Sequence, residues 1–157
     1  MVTVLSREDV QAAPVHSVND LLKLVSGVDV RQRGPLGAQT DVSIRGGNYE
    51  QITLLLNGIN IGDPQTAHNV ADFPVDISEI ERIEVLEGPA GSVYGTASML
   101  GAINIVTQAN TRSSASVHAA SGSFGTVTSG GRINVARGKW NNQWSASFTR
   151  TDGYNRN

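Results

Sequence analysis

The sequence predicts an α+β or α/β unit, with a small mixed sheet and short helices, over residues 1–110, followed by three antiparallel β-strands over residues 111–157. Two observations divide the chain there. Of the 14 Asp and Glu residues, 13 lie in residues 1–110, whereas the 12 Lys and Arg residues are shared equally between the two segments. The composition also shifts, from Leu, Ile, Val and Asp to Ser, Gly, Ala, Thr, Asn and Arg. We therefore place a domain boundary near Thr111.

Two short helices are predicted near the start of the chain. Ser6 and Asp9 have the spacing of a capped helical turn. Ser17 and Asp20 repeat that spacing before a run of Leu and Val, with Ser17 as N-cap and Asp20 in the N3 position of a capping box. Gly27 is expected to stop the second helix.

The strands of the first unit either alternate apolar and polar residues or are continuously apolar. They are predicted at residues 2–5, 28–32, 41–45, 51–56, 59–61, 82–86 and 103–105. Asn57-Gly58 is a dipeptide suited to a tight turn between two of them. Residues 77–80 are expected to form one helical turn, and residues 88–95 another that opens on Gly-Pro. Residues 33–40 and 62–73 are expected to be loops.

Beyond Thr111 three runs alternate strictly between apolar and polar residues, with turns predicted at residues 122–125 and 138–142. The apolar positions are Ala115, Val117, Ala119, Val127, Ile133, Val135, Trp144, Ala146 and Phe148. Such segments are typical of strands that face lipid on one side and an aqueous lumen on the other. Three strands cannot close a barrel. A solvated, disordered tail is the other interpretation of this segment.

Several classes of protein are excluded by composition. No apolar run approaches the roughly 20 residues of a transmembrane helix. The first residues lack the basic and apolar regions of a secretory signal, so the chain is either cytoplasmic or a processed or excised piece with an added Met. The absence of cysteine excludes disulfides and thiolate metal sites. No cofactor is indicated.

Two segments contain residues that could form a binding or catalytic site. Residues 87–92 follow a strand and precede a helical turn, as phosphate-binding loops do, but they lack the nucleotide-binding glycine patterns, and a structural turn is favoured. Four acidic residues and a histidine near the middle of the chain could hold a cation or support hydrolysis, although their spacing favours solvated loop charges. They are Asp63, Asp72, Asp76 and Glu79, with His68.

Arg45 lies at the end of a strand predicted to be buried, and an arginine there needs an anionic partner. Asp29, Glu84 and Glu87 are the candidates within this chain. The alternative is a partner on a segment that is missing here.

An ordered series of motifs along residues 2–108 resembles the plug domain of TonB-dependent outer-membrane receptors, and residues 112–157 resemble the barrel strands that follow it. The motifs are residues 17–22, 27–30, 44–46, 54–58, 80–84, 88–89, 93–95 and 101–105. Within the family, the helix and first two strands are similar to the vitamin B12 (cobalamin) receptor. The resemblance implies residues 1–110 as the plug and residues 111–157 as the first, truncated strands of a transmembrane β-barrel.

The resemblance also implies the site residues. Outward loops that contact the ligand would carry Arg33, Gly34, Pro35, Leu36, Gly37, Gln39, Asn60, Asp63, Gln65, His68 and Asn69. Arg45 corresponds to a plug arginine that pairs with barrel glutamates in this family. The family often has a second arginine directly before Gly-Pro, where this chain has Glu87, and this departure puts the usual pair of arginines in doubt.

The function implied is a plug that gates the energised import of a large scarce nutrient, such as cobalamin or an iron chelate, across the outer membrane. It implies no enzyme and no nucleic-acid partner. Expected partners are an inner-membrane energy-transducing protein of the TonB type, the remaining barrel strands, the nutrient and, for glycan or peptide cargo, a surface lipoprotein. The segment that the energy-transducing protein grips is expected upstream of Val2. The alternative is a soluble periplasmic binding or secretin-like module without a transport role.

Overall fold

The computed structural model describes residues 1–15, 17–32, 40–62, 73, 75–89, 94, 98–108 and 112–152. The chain divides into two compact units, Met1–Gln108 and Ala109–Asn157.

The described residues of the first unit include the helices α1 (Arg7–Ala12) and α2 (Val18–Leu22). Both begin at the predicted serine, because the side chain of Ser6 accepts from the amide of Asp9 and that of Ser17 from the amide of Asp20. The structure shows the full capping box at Ser6 and Asp9. The second helix ends five residues before Gly27. Tighter hydrogen bonds, including Val25 N to Leu22 O at 3.1 Å, carry the chain from there toward the glycine. Among the described residues, no helix is long and apolar enough to cross a membrane.

The strands of the described residues are, in chain order, β1 (Val2–Leu5), β2 (Val28–Gln32), β3 (Thr40–Ile44), β4 (Ile52–Leu56), β5 (Ile59–Asn60), β6 (Ile80–Glu87), β7 (Gly101–Thr107), β8 (Ser114–Ser121), β9 (Val127–Arg137) and β10 (Trp140–Arg150). Short 3-10 turns, Tyr49–Gln51 and Ile77–Glu79, precede β4 and β6, the second where a helical turn was predicted. Of the turn predicted after Gly-Pro, Tyr94 is described and is helical. Arg45 was predicted inside a strand but follows β3 in a left-handed conformation.

The first unit contains a five-stranded mixed sheet in the order β1-β6-β7-β4-β5 and a separate β2-β3 hairpin. Strands β4 and β7 are parallel, and the other pairs are antiparallel. The β4-β5 turn is Asn57-Gly58, with φ of 52° and 80°, as the dipeptide predicts. The predicted mixed sheet with short helices is confirmed.

The core lies on one face of this sheet. Helix α2 and strand β3 supply fully buried side chains that pack with alternate residues of β4, β6 and β7. These are Leu21, Leu22, Val42, Ile44, Leu54, Ile83, Val85, Ile103 and Ile105. Each stabilises the fold by about 1.5–3 kcal/mol. A smaller cluster, containing Leu55 and Ala102, covers part of the opposite face.

The second unit is an antiparallel sheet in the order β10-β9-β8. The predicted turn at residues 138–142 is shorter in the structure, because Trp140 already pairs with Arg137 across a turn at Gly138 and Lys139. The three predicted strands are confirmed.

Candidate functional site

Arg45 lies where the β2-β3 hairpin meets the end of β6. Its backbone has φ of 52°, a left-handed conformation that costs a non-glycine residue energy, and its amide donates to Gly27 O at 2.8 Å. Its guanidinium Nη2 lies 2.7 Å from Glu87 Oε2. The Arg45 side chain is 65% exposed and that of Glu87 is 8% exposed, so a largely buried carboxylate holds a cation that faces outward. We call Arg45, Gly27 and Glu87 together the Arg45 junction.

Backbone geometry positions the Glu87 carboxylate. Gly27 has φ of +83°, and a side chain built there would meet Glu87 Oε1 at 3.5 Å, so the carboxylate packs over bare backbone. The backbone of Glu87 is also fixed: its amide donates to Met1 O at 2.8 Å, and its carbonyl accepts from Met1 N at 3.0 Å. The junction therefore joins the first strand, the β2-β3 hairpin and the end of β6.

The other two candidate partners of Arg45 are engaged elsewhere. Asp29 Oδ2 lies 2.9 Å from Arg31 Nε, and Glu84 Oε1 lies 2.7 Å from Arg82 Nε. Glu87 is thus the carboxylate that meets Arg45 among the described residues.

A second polar cluster crosses the exposed face of the sheet. Asn104 Nδ2 donates to Glu84 Oε2 at 2.9 Å, while Asn104 Oδ1 accepts from the amide of Gly58 at 3.0 Å. The hydrogen bond from Asn104, helped by Arg82, lowers the pKa of Glu84 despite partial desolvation. This cluster ties the β4-β5 turn to β6.

Asn60, the described member of the predicted ligand loops, lies toward the other end of the sheet from Arg45. It pairs with Leu55 near the end of β4, and its Oδ1 accepts from the amide of Gly62 at 2.8 Å. The structure therefore does not bring Asn60 and Arg45 together. The remaining predicted loop residues lie outside the described part of the chain: Arg33, Gly34, Pro35, Leu36, Gly37, Gln39, Asp63, Gln65, His68 and Asn69.

The described carboxylates of the candidate hydrolytic group, Asp76 and Glu79, are part of a short structural turn. Asp76 Oδ1 accepts from the amide of Ser78 at 2.9 Å and so caps a 3-10 turn, and Glu79 is buried within that turn. Asp63, His68 and Asp72 lie outside the described residues. The part of the chain that is described holds no group of three or more His, Cys, Asp or Glu suited to a metal ion.

The sheet of the second unit has one apolar and one polar face. Strand register places Ala115, Ile133 and Trp144 in one cross-strand row, and the adjacent row on the other face holds Ser116, Arg132 and Ser145. The large exposed apolar side chains of its strands fall on the first face: Val117, Val127, Ile133, Val135, Trp140, Trp144 and Phe148. This is the alternation that the sequence predicts.

Comparison with known families decides the identity of the first unit. The family model described as "TonB-dependent Receptor Plug Domain" matches residues 1–102. The chain belongs to this family. Its mixed sheet and short helices are those of a plug, and the resemblance drawn from the sequence motifs is confirmed.

Relatives of the plug are found by sequence and by structure. The chain is 36% identical, over 115 residues, to a protein named vitamin B12 transporter BtuB from Vibrio vulnificus. The match covers 73% of this chain and 19% of that protein, so the chain spans about a fifth of the relative's length. Among solved structures, FpvA of P. aeruginosa bound to pyoverdines has a TM-score of 0.76 at 20% identity, covering 96% of this chain and 20% of that one. The alcaligin outer membrane receptor FauA of Bordetella pertussis has a TM-score of 0.74 at 18% identity, covering 97% and 26%.

From the sequence, the partner of Arg45 could be one of three acidic residues of this chain or lie on a missing segment. The signal that could have singled out Glu87 was its own departure from the family pattern. An arginine at position 87 would repel the guanidinium of Arg45, whereas the carboxylate of Glu87 attracts it. The structure contains the resulting Arg45–Glu87 ion pair.

Proposed function

We propose that the chain is the gating plug, with the first barrel strands, of an outer-membrane receptor that imports a large scarce nutrient. Membership of the plug family favours this function over a soluble periplasmic binding or secretin-like module. On this proposal residues 1–110 form the plug and residues 111–157 begin the barrel wall. The protein acts in transport and carries out no catalysis.

The division of the second unit into two faces is the observation that carries the membrane location. Seven large apolar side chains on one face of a three-stranded sheet form a patch that water does not favour. Lipid on that face and an aqueous lumen on the other satisfy both sets of side chains. Further strands on the β8 and β10 edges would pair the backbone groups that hydrocarbon cannot hydrate.

Cobalamin is the nutrient class that the relatives support best. The chain shares 36% identity with a vitamin B12 transporter, whereas its likeness to the pyoverdine and alcaligin receptors rests on fold at 20% identity or less. An iron chelate is the second candidate. The nutrient would be contacted by the outward loops at residues 33–39 and 60–69.

Arg45 is proposed as the plug residue that meets the barrel wall. Its left-handed backbone and its buried Glu87 partner hold the guanidinium toward the outside of the unit. The wall would supply a second carboxylate. A TonB-type protein would supply the energy for opening.

The test is calorimetric titration of the full-length receptor in detergent with cobalamin, haem and a ferric siderophore. The variant lacks residues 34–39, and the control lacks residues 122–125, a hairpin turn of the second unit. Saturable cobalamin binding that is lost in the first deletion and kept in the control supports the proposal. Binding of none of the three compounds overturns the nutrient class, and binding that survives the first deletion overturns the location of the ligand site.

A further inference from the structure

We infer that Glu87 is a positioning residue that presents Arg45 to the barrel wall and, by its negative charge, keeps that attachment weak enough to be reversible. This inference rests on the proposed contact between Arg45 and the wall. It concerns the one acidic side chain of the junction.

The ion pair of the junction joins Nη2 of Arg45 to Oε2 of Glu87, at 2.7 Å. A guanidinium has five N–H donors in a planar fork, so a single ion pair leaves capacity for a second carboxylate. The 65% exposure of the Arg45 side chain leaves that capacity directed toward solvent.

Two hydrogen bonds fix the backbone of Glu87, because its amide donates to Met1 O and its carbonyl accepts from the N-terminal ammonium of Met1. Its carboxylate packs on Gly27. The backbone of Arg45 is fixed by the hydrogen bond that its amide donates to Gly27 O. An otherwise flexible arginine is thus held in one orientation, which reduces the entropy that a partner must remove on binding.

Because Glu87 neutralises Arg45, a carboxylate on the wall meets an ion pair with no net charge, and the wall carboxylate also lies near the carboxylate of Glu87. Two like charges a few ångströms apart at a protein surface repel by several times the thermal energy. The junction therefore orients Arg45 well but attracts the wall weakly, which suits a plug that must be released repeatedly.

The test measures hydrogen exchange of the Arg45 amide, which is protected by its bond to Gly27 O. Its protection factor in the full-length receptor is divided by that in the 157-residue chain, in the same detergent. This quotient isolates what the rest of the receptor adds, because loss of the internal ion pair affects both proteins. The amide of Ile83, in the core of β6, verifies that each variant is folded.

Glu87→Gln keeps the shape and an acceptor oxygen but removes the charge, so the quotient should rise at least about fivefold. Glu87→Asp keeps the charge and shortens the side chain, so the quotient should stay at or below that of the parent. The matched control is Glu84→Gln, which removes the same charge from the same strand at a carboxylate paired with Arg82, and it should leave the quotient unchanged.

The outcomes separate the two proposals. If Arg45→Ala leaves the quotient unchanged, Arg45 does not meet the wall and the proposed contact fails. If Arg45→Ala lowers the quotient but Glu87→Gln does not raise it, the contact stands and the inference about Glu87 is wrong. An equal rise in Glu84→Gln would attribute the effect to net charge and would also overturn the inference.

Discussion

Replacement of Gly101 by alanine tests how closely β7 packs against β6. A β-carbon at Gly101 would collide with the carbonyl oxygen of Leu86 and would lie 2.9 Å from Ile44 Cδ1. Neither neighbour can move freely, since Leu86 belongs to the β6-β7 ladder and Ile44 is fully buried. The added methyl must therefore shift a central strand.

Gly47 provides a matched comparison. A β-carbon there would overlap Leu100 Cδ1 even more closely, but that atom is the end of a flexible, half-buried side chain. Rotation of Leu100 away from its preferred rotamer costs about 0.5–1.5 kcal/mol. For Gly101→Ala, overpacking against backbone should cost about 2–3 kcal/mol, near the upper end of the usual range. For a domain of the size of the first unit, a loss of about 2–3 kcal/mol lowers Tm by about 8–24 °C.

The assay is urea unfolding followed by far-ultraviolet circular dichroism, with exchange of the Ile103 amide as a local reporter of β7. Tryptophan fluorescence would not serve, because both tryptophans, Trp140 and Trp144, lie in the second unit. Close packing of β7 against β6 is refuted if Gly47→Ala destabilises the chain as much as Gly101→Ala, or if Gly101→Ala costs less than about 0.5 kcal/mol.

Three further predictions follow from hydrogen bonds and charges in the first unit. Ser17→Ala removes the N-cap of α2 and should cost about 1 kcal/mol in urea unfolding, whereas Ser26→Ala, at an exposed position, should cost almost nothing; equal losses would contradict the capping role. Arg45→Ala should destabilise the chain more than Glu87→Ala in the same assay, because it leaves a mostly buried carboxylate unpaired while the reverse change leaves an exposed cation in water; the opposite order would show that the ion pair is not organised by burial. The pKa of Glu84 is lowered in the folded state, so its contribution to stability is present above about pH 4.5 and is lost as the pH falls through its folded-state pKa. Glu84→Gln should therefore flatten the dependence of the urea midpoint on pH below about pH 4.5. An unchanged slope of the urea midpoint against pH would contradict this role of Glu84.

The secondary structure could be predicted because its signals are local. Asn57-Gly58 carries its own turn preference, the Ser-x-x-Asp spacings carry their own caps, and the alternation beyond residue 113 assigns each side chain to a face. The end of α2 could not be predicted in this way. Lys23 and Leu24 suit a helix, but tertiary packing that buries Val25 and brings Gly27 against Glu87 ends the regular helix at Leu22.

The partner of Arg45 shows why a site is harder to predict than a strand. Glu84 and Glu87 lie three residues apart on one strand, and in sequence both are acidic neighbours of an apolar run. The β6-β7 register pairs Glu84 with Asn104 and Glu87 with Gly101, so the first joins a polar cluster on the sheet face and the second reaches the end of the sheet where β3 delivers Arg45. A shift of register by one residue would reverse which faces these side chains occupy. Because register depends on the whole sheet, the choice between the two carboxylates follows from tertiary structure, and the same ladder that fixes the core also determines which charge Arg45 meets.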